Sequence, residues 1–136
     1  VSDGKTRAIN SFGVQLTGHA GLFSTAGDMA KLAMALMEEK VLSIESLKKI
    51  GINRTGKMIG ENDATQFHGY LCYSKNPIEM NSEVNHFLSG NAFALGGYTG
   101  NQLTIDIENG VYVFFASNRC HNRVTNITGA AEKDYV

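Results

Sequence analysis

The fold class is decided by one stretch near the end of the chain, Gln102-Leu103-Thr104-Ile105-Asp106-Ile107-Glu108-Asn109-Gly110-Val111-Tyr112-Val113-Phe114-Phe115-Ala116. Polar and apolar residues alternate from Gln102 to Ile107, which is the period of a β-strand with one buried face. Asn109-Gly110 is typical of a hairpin turn, because both residues adopt positive φ at low cost. Val111 to Ala116 is continuously apolar and predicts a central strand covered on both faces. The stretch therefore predicts an antiparallel hairpin.

Further strands are predicted on the N-terminal side of this hairpin. Phe67 to Tyr73 is rich in aromatic residues and is predicted to be a strand. Asn91 to Leu95 leads into the glycine-rich segment Gly96 to Gly100 just before the hairpin. Residues 51–66 are rich in Gly, Asn and Asp and predict a loop. We expect about three antiparallel strands in the C-terminal half.

Two helices are predicted ahead of the sheet. Apolar residues recur at helical spacing over about Ala26 to Glu39, and Thr25 followed by Asp28 resembles a capping box at the start. A shorter helix is expected over about Ile44 to Ile50, with Ser43 as its N-cap. Helices followed by antiparallel strands predict an α+β domain in which the helices pack against the sheet.

Composition limits both the domain organisation and the class of function. The chain has 136 residues, of which 43% are hydrophobic, so we expect a single domain over residues 1–136, with a helical part at about 18–50 and a sheet part at about 66–121. Lys and Arg number 12 against 13 Asp and Glu, which argues against nucleic-acid binding. No apolar run approaches the roughly 18 residues that a membrane span needs.

Cysteine and histidine give no metal or cofactor signal. Cys72 and Cys120 make neither a metal cluster nor a disulfide framework, and we interpret both as buried thiols, with one bridge between them left open. The histidines at 19, 68, 86 and 121 fit no zinc template. We therefore expect no cofactor and no metal.

Three segments carry a resemblance to a known family. The first is Gly18-His19-Ala20-Gly21-Leu22-Phe23-Ser24-Thr25, which resembles the Gly-His-Ala-Gly-Leu-Phe-Ser-Thr motif of the serine β-lactamase-related family. That family includes class C β-lactamases, D-alanyl-D-alanine carboxypeptidases, other penicillin-binding proteins and esterases. Ala92 to Gly100 resembles the family's Ala-Phe-Gly-His-Thr-Gly-Phe-Thr-Gly. Ile105-Asp106 and Ser117 to His121 resemble its Ile-Asp-Pro and Thr-Asn-Arg-Val-His. The resemblance spans Val1 to about Arg123, and it implies a partial β-lactamase/transpeptidase-like fold.

The resemblance also implies a chemistry. Such enzymes acylate a serine in a Ser-x-x-Lys motif, whose lysine helps to remove the hydroxyl proton, and a Tyr-x-Asn motif follows. In the family both motifs precede the region matched here. The resemblance therefore implies the C-terminal portion of a bacterial-type serine hydrolase acting on β-lactams, D-Ala-peptides or esters, inactive without the rest. Family members are often found in the cell envelope, but the residues here leave the compartment open.

A different class of function stays open beside this one. The chain could be a non-catalytic penicillin-binding-like relative that binds a peptide or a partner protein. The motivation is the third family motif, a basic residue followed by Thr or Ser and Gly. Here Leu95 stands in place of the basic residue and Gly96 in place of the hydroxyl residue, while Gly97 keeps the family type. The resemblance implies that the N–H of Tyr98 contributes to an oxyanion hole. A shifted register would place Tyr98-Thr99-Gly100 at the motif instead.

Several short patterns imitate catalytic motifs at other positions. Ser2-Asp3-Gly4-Lys5 and Ser46-Leu47-Lys48-Lys49 both spell Ser-x-x-Lys, but the first lies in a polar terminus and the second on a predicted surface helix. Ser89-Gly90-Asn91 spells Ser-x-Asn, and Arg54-Thr55-Gly56 spells a basic residue followed by Thr-Gly. All four fall outside the matching family positions. We interpret them as surface or loop chemistry, so we expect neither the nucleophile nor the base in this chain.

The partners implied by the resemblance are the N-terminal half of the same fold and, without it, a second copy of the chain. In the family fold the apolar face of the helix that starts at Ala26 packs partly against that other half. An uncovered apolar face favours self-association. We predict a dimer or higher oligomer of this chain in solution, measured by light scattering. A monomer at high concentration would contradict the prediction.

Overall fold

The computed structural model describes residues 22–97 and 99–117. The elements in chain order are α1 (Ala26–Met37), α2 (Ile44–Ile50), β1 (Tyr73–Ser74), a 3₁₀ turn (Glu79–Asn81), β2 (Phe93–Gly96), β3 (Gln102–Asp106) and β4 (Val111–Phe115). The strands form one antiparallel sheet in the order β1-β2-β3-β4. The predicted α+β class is confirmed, with four strands among the described residues rather than about three. Within the described ranges, no helix is long and apolar enough to cross a membrane.

Helix α1 begins where the sequence predicted and ends two residues earlier. The Thr25 hydroxyl accepts a hydrogen bond from the backbone N–H of Asp28 at 3.1 Å, which caps the first turn. At the other end Glu39 has a φ of 58°. The N–H groups of Glu39 and Lys40 then donate back to Leu36 and Ala35 in a Schellman arrangement. Because Glu39 takes the left-handed conformation that ends the helix, it cannot itself be helical.

Helix α2 has the predicted bounds. The Ser43 hydroxyl accepts from the N–H of Ser46 at 3.3 Å, which confirms Ser43 as the N-cap. Glu45 lies in the first turn, and Lys48 and Lys49 lie in the last turn. These positions place acidic charge at the positive end of the helix dipole and basic charge at its negative end. Short as it is, the helix buries Leu47 completely.

The prediction of a strand over Phe67 to Tyr73 is wrong for most of that segment. Only Tyr73, together with Ser74, belongs to a strand. Ahead of it the chain turns back on itself, because the N–H of Gly69 donates to the carbonyl of Cys72 at 2.9 Å. Leu71 has a φ of 58° within this turn and is almost fully exposed. The aromatic content of Phe67 to Tyr73 therefore predicted the strand residue Tyr73 correctly but did not predict the turn that precedes it.

The hairpin of β3 and β4 is present with Asp106 opposite Val111. Its turn differs from the predicted one, since Gly110 has a positive φ of 65° and Asn109 does not. The side chain of Asp106 accepts from the N–H groups of Glu108 and Asn109 and holds the turn instead. The local pattern thus gave the position of the turn, while its geometry depends on a side chain from the preceding strand.

The prediction that β4 is a central strand covered on both faces is wrong for the described residues. In the described sheet β4 lies at one end of the strand order. Val111, Val113 and Phe115 are exposed, whereas Tyr112 and Phe114 are half-buried. This alternation shows one face packed and one face open. A continuous apolar run predicts burial on both sides but cannot reveal which side the neighbouring elements cover.

Two apolar clusters lie on opposite faces of the sheet. One joins the helices to the strands and contains Ala33, Leu47, Phe93 and Ile105. The other contains Val84, Ala92 and Ala94. Neighbouring residues of a strand point to opposite faces, so Phe93 faces the helices and Ala94 faces the segment that precedes β2. The helices therefore cover one face of β2, and that segment covers the other.

A buried carboxylate joins that segment to the β3–β4 turn. Asp106 is fully buried and accepts five hydrogen bonds, from the N–H and hydroxyl of Ser89, the N–H of Glu108, and the N–H and side-chain amide of Asn109. Burial alone would raise the pKa of Asp106, but the hydrogen bonds from Ser89 and Asn109 outweigh it and hold the pKa below its ordinary value. The ionised form is therefore the stable one in the fold.

We predict that Asp106→Asn lowers the free energy of unfolding by at least about 2 kcal/mol at neutral pH, because an amide nitrogen would face the N–H donors. The pKa of Asp106 is lower in the folded than in the unfolded chain. The stabilisation that the Asp106 carboxylate gives the fold is therefore present above the ordinary aspartate pKa. It is lost as the pH falls through the folded-state pKa. Chemical denaturation at neutral and acid pH measures this.

The matched control is Glu61→Gln, which removes a carboxylate from an exposed loop position. It should change the free energy of unfolding by less than about 0.5 kcal/mol. An Asp106→Asn protein as stable as the wild type at neutral pH would contradict this account of the carboxylate.

Candidate functional site

The residues that the resemblance aligned with the third family motif, Leu95 to Gly97, lie at the end of β2 and directly after it. The N–H of Gly97 donates to the carbonyl of Asn101 at 2.7 Å, in register with the pair Gly96–Gln102. Backbone groups alternate between the two sides of an antiparallel strand, so those of Leu95 and Gly97 face β3 and those of Gly96 face the other side. On that side β1 begins at Tyr73, which lies opposite Ala94, and no residue of β1 lies opposite Gly96. Gly96 therefore lies at an edge to which β1 does not extend.

Leu95 is the exposed end of an apolar row across the sheet. It pairs with Leu103, and Leu103 pairs with Phe114 on β4. Paired residues point to the same face, so the three side chains share the face that packs against the helices. Leu95 itself is 55% exposed. Where the family carries a cation, this chain presents an aliphatic side chain to solvent.

Gly96 leaves open space on the opposite face. A Cβ added there would meet nothing nearer than Cε2 of Tyr73, at an ordinary van der Waals distance of 3.7 Å. The backbone at Gly96 does not have the positive φ that would require glycine. Neither crowding nor backbone conformation therefore explains the absence of a hydroxyl residue. The ring of Tyr73 flanks the space that such a side chain would occupy.

Tyr73 is fixed by a second aromatic ring. It forms an isolated antiparallel bridge with His68, and the two ring centroids are 4.8 Å apart. The two side chains share a face with Ala94, because Tyr73 pairs with each of these residues. Next to this pair, the Arg54 guanidinium lies 4.1 Å from the ring centroid of Tyr70. The Tyr73 ring thus borders the edge at Gly96, and the His68 ring packs against Tyr73.

The lysine nearest to this edge along β1 is directed to other partners. Lys75 follows β1 directly, and its ammonium donates to the backbone carbonyls of His86 (at 2.8 Å) and Leu88. It holds the segment that covers Ala94 and Ala92. Its charge therefore compensates backbone carbonyls, and it does not substitute for the cation that is absent at Leu95.

The turn after Gly97 is closed by its own backbone and by Asn101. The carbonyl of Gly97 accepts from the N–H of Gly100 at 2.8 Å, and Gly100 has a φ of 87°. The Asn101 amide donates to the Thr99 hydroxyl at 2.9 Å, and its oxygen accepts from the N–H of Ser117 at 2.7 Å. Asn101 therefore fixes the turn to the end of β4. Tyr98 lies outside the described residues, so its oxyanion role stays a prediction.

The described motif-like patterns have structural partners. Around Ser46, Lys49 pairs with Glu45 at 2.6 Å and Lys48 lies 4.0 Å from Glu108, all with exposed side chains. The patterns at Ser89 and Arg54 have structural partners, namely Asp106 and Tyr70. Ser2 and Lys5 lie outside the described ranges.

Among the described residues, no group of three or more His, Cys, Asp or Glu side chains could hold a metal ion. Cys72 carries a free thiol that packs beside the helix-facing cluster, and burial raises its pKa, which makes it a poor nucleophile. His86 contacts the carbonyl of Asn76 at 2.8 Å. His19, Cys120 and His121 lie outside the described part of the chain.

Sequence reasoning missed the residues that flank Gly96. Tyr73 and His68 fall in a segment that was predicted to be a continuous strand, and no motif marks either of them. The available signal was the aromatic content of that segment. It could not locate the turn that brings the His68 ring beside the Tyr73 ring.

The comparison with protein families agrees with the resemblance. The family model Beta-lactamase matches residues 2–134, nearly the whole chain. The chain therefore belongs to the β-lactamase family. Neither the search of the curated proteins nor the search of the solved structures found a match.

We predict that Gly96→Ala folds with a free energy of unfolding within about 0.5 kcal/mol of the wild type, because the added Cβ meets only ordinary contacts. Gly69→Ala is the matched comparison, since its Cβ would lie 1.7 Å from the carbonyl oxygen of Ile50. That variant should lose at least about 2 kcal/mol, because backbone must move. Thermal and denaturant unfolding measure both. Equal losses would contradict the open space at Gly96.

Proposed function

We propose that this chain is the C-terminal portion of a β-lactamase-like serine hydrolase, which transfers the acyl group of a β-lactam, a D-Ala-peptide or an ester to a serine and then to water. The observation that carries the proposal is the strand edge at Gly96 in a chain of the β-lactamase family. The resemblance described above implies that the third motif lies at this edge. A strand edge offers N–H and C=O groups that bind an extended acyl chain as an added strand would.

The chemistry divides between this edge and residues outside the chain. The serine oxygen forms a bond to the acyl carbon, the bond to the leaving group breaks, and the serine proton passes through the base to that leaving group. Water then cleaves the acyl-enzyme, releasing the acid and restoring the hydroxyl. The described residues hold no buried serine–lysine pair at the expected positions. We place nucleophile and base in sequence ahead of this chain.

What this chain contributes is a wall that positions the acyl group. The alternation of β2 directs the backbone of Gly96 outward, and the turn fixed by Asn101 follows directly. Preorganised N–H donors near the acyl oxygen stabilise the charge that develops there. Alone, such a wall binds and does not turn substrate over.

A non-catalytic binding role is the second candidate function. Leu95 and Gly96 favour it, because they remove the polarising group that the family motif supplies. Under this alternative the same edge binds an extended peptide segment or a partner protein, and no acyl-enzyme forms.

The test uses the complete reading frame that carries this chain. We expect nitrocefin, p-nitrophenyl acetate or a fluorophosphonate probe to leave an adduct on a serine of an upstream Ser-x-x-Lys motif, located by peptide mass spectrometry. The 136-residue chain alone should acquire no adduct. Replacing the labelled serine by Ala is the control and should abolish labelling.

Two outcomes would contradict the proposal. An adduct on a serine of this chain would show that the nucleophile lies here. A complete protein that folds, as judged by circular dichroism, and acquires no adduct from any of the three probes would refute hydrolysis and favour the binding alternative.

A further inference from the structure

The edge at Gly96 is apolar on both sides of the strand. On the helix-facing side, Leu95 ends the row formed with Leu103 and Phe114. On the other side, the Tyr73 ring lies 3.7 Å from the position of a Gly96 Cβ. A ligand strand that binds along Gly96 therefore places its substituents against a leucine side chain and a phenol ring. Both surfaces are uncharged.

Two basic residues of the segments around β1 contact groups other than this edge. Lys75 donates to the carbonyls of His86 and Leu88, and Arg54 stacks over Tyr70. Within the described residues, neither Lys75 nor Arg54 would supply a counter-charge to a carboxylate brought against Leu95, so the loss of hydration would be costly. An ester or alkyl group in the same place would bury apolar surface, which is favourable.

We propose that this edge selects ligands whose group beside Leu95 is neutral. Among the substrate classes proposed above, it therefore favours uncharged esters or amides over β-lactams and D-Ala-peptides, which carry a carboxylate. This inference deepens the proposed function, on which it rests where it speaks of turnover. The binding preference for a neutral group depends only on the described edge. Leu95 is the specificity-determining side chain, because it is the exposed member of the apolar row. Tyr73 is the second contact, across the space left by Gly96.

The first experiment measures binding and needs no catalysis. The probes are N-phenylacetylglycine and its methyl ester, which share an amide that can pair with a strand edge and differ in one negative charge. Titration into the ¹⁵N-labelled chain follows the amide signals of Leu95, Gly96 and Gly97. We expect the ester to bind at least about tenfold more tightly than the acid, with its shifts centred on these three signals.

The variant Leu95→Lys supplies the missing cation. It should reverse or equalise the preference, a change of at least about tenfold in the ratio of the two dissociation constants. Leu32→Lys is the matched control, because it makes the same change at another exposed leucine, on α1. It should leave the ratio unchanged. Circular dichroism and thermal unfolding establish that both variants are folded.

The second experiment measures turnover by the complete protein. The substrates are p-nitrophenyl methyl glutarate and p-nitrophenyl hydrogen glutarate, a matched neutral and anionic pair of esters. The ratio of their kcat/KM values should favour the neutral ester by at least about tenfold and should shift towards the anionic ester in Leu95→Lys.

The two experiments fail in different ways. Absence of turnover and of any acyl-serine adduct would refute the proposed hydrolase, while the binding ratio would still decide the preference. Equal binding, tighter binding of the acid, or no shift of the three amide signals with either probe would overturn the present inference. So would a binding ratio that Leu95→Lys leaves unchanged.

Discussion

The structure depends on one buried carboxylate. Asp106 ends β3 and accepts hydrogen bonds from the β3–β4 turn and from Ser89, which lies ahead of β2. These bonds join two parts of the chain that are distant in sequence. A buried ionised group is costly unless it is fully hydrogen-bonded, so the arrangement tolerates little change. By holding both the turn and the start of β2, Asp106 fixes the strand that carries the candidate site.

The candidate site follows from unequal strand lengths. β2 pairs with β3 along its whole length, but β1 pairs only with Phe93 and Ala94. The two residues beyond that point, Leu95 and Gly96, remain at an edge. Proteins normally cover or shorten such edges, because unpaired backbone groups attract other strands. An edge that is short, ends in a fixed turn and is flanked by a tyrosine ring is suited to binding a short extended ligand.

Membership in the β-lactamase family and the chemistry of this edge are separate facts. The family model matches residues 2–134, and it describes the relation of this chain to others. The side chains at the edge describe what this chain can bind. Leu95 presents an exposed apolar side chain at this edge, and Gly96 leaves open space beside the Tyr73 ring.

The sequence by itself determined the helices, the antiparallel hairpin and the family, because these depend on local periodicity, capping residues and short motifs. Thr25, Ser43 and the alternation from Gln102 to Ile107 act over a few residues, and each had the predicted effect. Only the tertiary structure decided that Tyr73 flanks Gly96, that β4 has one open face and that Asp106 holds its turn with Ser89. These features join residues far apart in sequence, and local patterns carry no information about which distant side chain will fill a space or supply a donor.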